Sequence, residues 1–130
     1  MTTDLEDRTG APVTVDLDEG RPVGRYTVRL ADGTLAGRAD FIDAREADGE
    51  RIFFHTEIAP ELSGRGLAGL LVREALADSI RRSITVVPVC PLFVAHLKEH
   101  GDQYVADGGR FRKATLADID LVKETTASGA

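Results

Sequence analysis

Cysteine is almost missing from this chain of 130 residues: Cys90 stands alone. A single cysteine excludes an internal disulfide and fits a reducing compartment, so a cytoplasmic location is expected. No apolar run approaches the ~18 residues that a membrane-spanning helix needs. The stretch from Met1 to Gly10 is polar and acidic, without the basic start and apolar core of a signal peptide. Positive charge is in deficit, with a formal net charge of −6, which argues against general electrostatic binding to nucleic acid. Repeats and low-complexity segments are absent. With 42% hydrophobic and 29% charged residues, the composition is that of one ordinary globular domain rather than a disordered or fibrous chain. The three histidines offer no metal pattern. His96 and His100, four apart, share a helix face but have no third ligand.

Residues 1–12 read as a flexible lead-in, 13–114 as the domain, and 115–130 as a C-terminal extension with a short helix. Val13 to Leu17 alternates apolar and polar residues, as a short edge strand does. Glu19 to Pro22 reads as a turn. Arg25 to Leu30 is strand-like, with Tyr26, Val28 and Leu30 on one face, and Asp32-Gly33 signals a hairpin to Leu35–Ile42. A polar loop at 46–50 leads to a strand over Arg51–Ile58. A helix follows over Leu67–Arg82, with Ala68, Val72, Leu76 and Ile80 as its apolar stripe and Arg73, Glu74, Asp78 and Arg81 off it. Ile84 to Val89 suits a strand buried on both faces. Leu92 to His100 is a second helix, with Gly101 as its stop. Residues 102–114 read as irregular or a short final strand, and Thr115 to Glu124 as a weak helix. The resulting fold class is α+β, with a mixed, mostly antiparallel sheet flanked by helices. A strand–helix–strand crossover makes its last two main strands parallel.

Ser63-Gly64-Arg65-Gly66-Leu67-Ala68-Gly69 joins a strand to a helix start. Glycines permit tight turns and close backbone approach, and the first N–H groups of a helix, at the positive end of its dipole, form an anion site. The alternative is a tight turn with no ligand. Arg65 adds a charge for a bound pyrophosphate. Upstream, strict alternation places His55 and Glu57 on one face with Phe53, two positions apart and suited to proton transfer. Apolar neighbours would raise the pKa of Glu57 toward that of a general base; the alternative is an exposed, solvated pair. Downstream, Pro88 has no N–H for a sheet ladder, so pairing with the adjacent strand is expected to fail there and open a cleft. Pro91 suits the first position of a helix and makes Cys90 its N-cap, where the dipole favours a thiolate; the alternative is a small buried residue. Acidic residues near Gly20 and Gly49 (Asp18, Glu19, Asp43, Glu46, Asp48, Glu50) either attract a cationic acceptor or are ordinary solvated loops.

His55-Thr56-Glu57-Ile58, then Gly64-Arg65-Gly66-Leu67-Ala68, then Val87-Pro88-Val89-Cys90-Pro91 with Phe93-Val94, in that order, resemble the GNAT acetyltransferase superfamily, in particular its small single-domain branch. The resemblance covers about Arg25 to Tyr104. The superfamily loop reads Gln/Arg-x-x-Gly-x-Gly/Ala. Gly66 and Ala68 match its small positions, whereas Ser63 stands where Gln or Arg is usual. The resemblance implies a sheet splayed between the strand of Glu57 and that of Pro88, with acetyl-CoA inserted there. Its pyrophosphate would rest on Gly64, Arg65, Gly66, Leu67, Ala68 and Gly69, and its pantetheine would pair near Ile58 and Ala59. Cys90 and Phe93 would lie close to the thioester end. Glu57, assisted by His55, would be the catalytic base for transfer of acetyl to a small amine or protein amine, and Cys90 either an acyl carrier or structural. Tyr104 is the candidate general acid. The alternative function is a CoA-binding module without catalysis. A monomer or dimer is expected, with no nucleic acid or membrane partner.

Overall fold

The computed structural model describes residues 2–20, 22–43 and 49–127. Seven strands form one sheet: β1 (Thr2–Glu6), β2 (Pro12–Asp18), β3 (Gly24–Leu30), β4 (Leu35–Asp43), β5 (Glu50–Ile58), β6 (Thr85–Pro88) and β7 (Arg110–Phe111). The helices are α1 (Leu67–Arg81), α2 (Pro91–Ala106) and α3 (Leu116–Ala127). Strand order in the sheet is β1 to β7, the order of the sequence. The first five strands are an antiparallel meander, and β5–β6 and β6–β7 are parallel, linked through α1 and α2. This is the expected α+β class. No described helix is long and apolar enough to cross a membrane.

Each face of the sheet carries its own core. Val15, Val28, Phe41, Phe53 and Val86 meet Leu71, Leu76 and Phe93 of α1 and α2. On the opposite face Ile42, Ile52 and Val87 meet Leu121 and Val122 of α3. The α3 helix buries only Asp118, so its apolar side alone holds it weakly. Arg112 fastens it, donating to both carboxylate oxygens of Asp118 at 2.8 and 3.0 Å and to both of Glu50 at 2.8 and 3.0 Å. Those bonds, with the N–H and hydroxyl of Thr115, hold the Asp118 carboxyl at about 2, below its ordinary 3.8. The folded value lies below the unfolded one, so this stabilisation is whole above about pH 4 and disappears as pH falls toward 2. Asp118→Asn is therefore expected to cost about 1–2 kcal/mol at neutral pH and nothing near pH 2. Thermal unfolding of both proteins between pH 2 and 6 reads this directly, and parallel curves would refute it.

Several expectations change. Within the stretch read as a lead-in, Thr2 to Glu6 pair with β2, which makes β2 an internal strand and β1 the edge. The second helix does not stop at Gly101 but runs to Ala106. Gly101 is a packing glycine, since a Cβ there would lie 2.8 Å from the Phe111 ring. Asp78 is buried, not solvated, because the Tyr26 hydroxyl (2.6 Å) and Arg82 Nε (2.8 Å) both donate to its Oδ2. Arg21 of the predicted 19–22 turn, Glu46 and Asp48 of the polar loop, and residues 128–130 lie outside the described residues.

Candidate functional site

The parallel ladder between β5 and β6 ends at Phe53 opposite Pro88. Beyond it the Phe53 carbonyl accepts from the N–H of both Val89 and Cys90, each at 2.9 Å, and the chain turns away into α2. Phe54 to Ile58 run on with no described strand beside them on that side. The result is a wedge at the expected place, although the Pro88 nitrogen points away from β5 and the Val89 N–H is the one that meets Phe53. Because α1 follows β5 and α2 follows β6, both helix N-termini stand at the carboxyl end of this wedge, where parallel sheets place ligands.

At α1, Gly64 and Gly66 take φ of 87° and 76°, values strained for any residue with a Cβ. Gly66 is the N-cap, and no side chain caps the helix. The N–H groups of Leu67, Ala68 and Gly69 therefore have no carbonyl one turn back, an arrangement that can cradle an anion. Arg65, expected to add a charge for a pyrophosphate, has its Nε 3.4 Å from Asp7 Oδ2. Asp7 is buried in the β1–β2 turn, and its carboxyl is held below the ordinary range, chiefly by the Thr9 hydroxyl. The Arg8 N–H donates to the Arg65 carbonyl at 2.9 Å, which ties this turn to the loop. Two other guanidiniums flank the cradle. A Cβ on Gly66 would sit 3.3 Å from Arg8 Nε, and one on Gly69 3.1 Å from an Arg73 nitrogen. Sequence reasoning missed Arg8, because the β1–β2 turn comes to α1 only through the fold.

At α2, Cys90 is the N-cap and Pro91 the first residue, as the sequence predicts. The Cys90 thiol is buried and lies 3.3 Å from the Thr56 hydroxyl. Phe93 is wholly buried and stacks on Phe53 at 4.5 Å, so its ring backs the wedge from within the core. Tyr104 lies inside α2, its hydroxyl donating to the Leu76 carbonyl at 3.0 Å, and burial raises its pKa to about 12. It sits in the helix core and not in the wedge, so it does not fit the general-acid role.

Glu57 and His55 lie elsewhere than simple alternation predicts. The β4–β5 register pairs Phe41 with Phe53 but Asp40 with His55, so Phe54 is an extra residue, a β-bulge. The bulge returns Thr56 to the Phe53 face and turns His55 and Glu57 to the α3 face. Glu57 is thus not against apolar neighbours. Its side chain is 63% exposed, 3.7 Å from both Arg38 and His55. The register places two rows on this face, Arg25–Asp40–His55 and Thr27–Arg38–Glu57. A pocket of about 620 Å³ opens over the first row and Arg38. Its polar floor is Arg25, Arg38, Asp40 and His55, and its apolar wall is Pro22, Val23, Phe54 and Val122. The acidic loop residues do not face it as a free cluster: Glu19 pairs with Arg82 and Arg51, Asp43 with Arg51, and Glu50 with Arg112. Asp40 and Arg38 also escaped the sequence reading. The signal was available, since charged residues at 38, 40, 55 and 57 alternate with apolar or small ones. Among the described residues no group of three His, Cys, Asp or Glu is arranged to hold a metal ion.

A model of the GCN5-related N-acetyltransferases matches residues 25–107, the span that holds the wedge, the glycine loop and the Cys90 cap. The chain belongs to that family. No curated protein matches it. Solved structures similar to this GCN5-related chain include a ribosomal-protein-alanine N-acetyltransferase from Brucella melitensis, 21% identical, with a TM-score of 0.47 over 65% of this chain and 62% of that one. A spermidine N-acetyltransferase from Vibrio cholerae, in complex with CoA and spermine, is 30% identical, with a TM-score of 0.40 over 47% of this chain and 36% of that one. The chain spans less than two-thirds of either protein.

Proposed function

We propose that the protein is an N-acetyltransferase that takes acetyl-CoA in the wedge and passes its acetyl group to an amine arriving on the α3 face. The observation that carries this reading is the parting of β5 from β6 beyond Phe53 and Pro88, with two helix N-termini at its mouth. The cradle of Gly64 to Gly69, with Arg8 and Arg73 beside it, suits a pyrophosphate. The open edge of β5 at Ile58 suits an extended amide-bearing arm, while the Ala59 N–H is taken by the Ala36 carbonyl. Glu57 takes one proton from the acceptor ammonium. The free amine then attacks the thioester carbonyl carbon, forming a C–N bond as the C–S bond breaks. The remaining excess proton on nitrogen ends on the departing CoA thiolate. Cys90 faces the other side of β5 from Glu57, and direct transfer does not require it. His55, 3.7 Å from Glu57, positions that carboxylate.

Millimolar acetyl-CoA is expected to raise the melting temperature, because a ligand at a hundred times its Kd adds about 2.7 kcal/mol. An unchanged melting temperature would end this reading. Binding with no CoA release from any amine would favour the non-catalytic module instead.

A further inference from the structure

The polar floor on the α3 face is a close network of ion pairs around Asp40. Asp40 is 8% exposed, and its Oδ1 has no hydrogen-bond partner. Arg25 Nε and Arg38 Nε, at 3.6 and 3.3 Å from the Asp40 carboxylate, are buried and also without hydrogen bonds. Buried polar atoms normally find partners, and here they face one another as ion pairs, Arg25 Nε with Asp40 Oδ1 and Arg38 Nε with Asp40 Oδ2. Desolvation raises the Asp40 carboxyl above its ordinary range even with both arginines beside it, so a bound cation would be welcome there.

The arrangement of charge is specific. Carboxylates (Glu57, Asp40) lie toward the wedge on β5 and β4, and guanidiniums (Arg38, Arg25) lie on β4 and β3. A polyamine would set its cationic chain against two arginines. A zwitterion meets opposite charges throughout. Adjacent strands are about 4.8 Å apart. The ammonium and carboxylate of an α-amino acid fall within that spacing, the ammonium toward Asp40 and the carboxylate toward Arg38 and Arg25. The remaining wall, Pro22, Val23, Phe54 and Val122, is apolar. The volume of about 620 Å³ is in the range of small-molecule sites.

We infer that this pocket receives the acceptor and that the acceptor is a free α-amino acid with an apolar side chain, its carboxylate held by Arg38 and Arg25. The inference rests on the acetyltransferase reading for its chemistry but not for its binding. Isothermal titration of the protein alone with L-leucine and with L-leucinamide separates the two. Leucine is expected to bind at least tenfold more tightly, and Arg38→Gln to erase that preference. Retention of the acetyl-CoA melting shift in Arg38→Gln shows that the variant is folded. Thiol release from acetyl-CoA should follow the same order, with leucine above leucinamide and above spermidine. Equal or tighter binding of leucinamide overturns the inference, as does turnover of spermidine or leucinamide at or above that of leucine. Leucine binding in a protein that ignores acetyl-CoA would keep the pocket and discard the transferase.

Discussion

Replacing Glu57 with Gln is expected to lower kcat about a hundredfold and to leave the acetyl-CoA melting shift unchanged. General bases contribute roughly 10²–10⁴ in rate, and the lower end applies here. The carboxylate is 63% exposed, so solvent water competes as a proton acceptor. What water cannot supply is placement. Arg38 and His55, each 3.7 Å away, hold the carboxylate at the edge of the wedge. The amide of Gln keeps the shape and loses the basicity. A kcat within threefold of the parent would remove Glu57 from the proton path. The comparison is best made as kcat and KM separately, since a loss confined to KM would describe a binding group and not a base.

Phe53→Ala is expected to lower stability by about 3–5 kcal/mol, as deletion of a fully buried aromatic ring does. Phe53 is 0% exposed, with ring centroids of Phe93, Phe41 and Tyr26 at 4.5, 5.6 and 6.1 Å. Its removal opens a cavity between the sheet and α2, at the point where the Phe53 carbonyl holds Val89 and Cys90. A fall in melting temperature of roughly 10–20 °C would accompany that loss. Denaturant unfolding gives the free energy, and a change below about 1 kcal/mol would mean that the four rings do not form one packed unit.

Much of the architecture is legible because local signals agree with it. Asp32-Gly33 makes its hairpin, with Gly33 at φ 89°. The β5–β6 ladder ends at Pro88 as expected, though not through the missing N–H, since the Val89 N–H is the one that faces β5, and Cys90-Pro91 opens α2. The failures share a cause, since each depends on a partner distant in sequence. Thr2 to Glu6 carry one apolar residue, Leu5, and are a strand only because β2 offers a ladder. Gly101 resembles a helix stop until Phe111 is seen against it. The bulge at Phe54 leaves no mark that alternation detects, yet it sends Glu57 and Cys90 to opposite faces. The cradle was legible as glycine spacing. Arg8 beside it was not, because only the fold brings the β1–β2 turn to α1.

The order of the strands bears on how the chain reaches this state. The first five strands pair through hairpins with the strand just made, so each closure spans little chain and loses little entropy. The β5–β6 pair is different. It waits for the whole excursion from Ile58 to Thr85, the longest between paired strands, and is then secured by only four residue pairs. The joint whose closure spans the most chain is thus the joint that parts to make the wedge. Folding and binding meet at one seam, which the chain closes across its longest excursion and leaves half open.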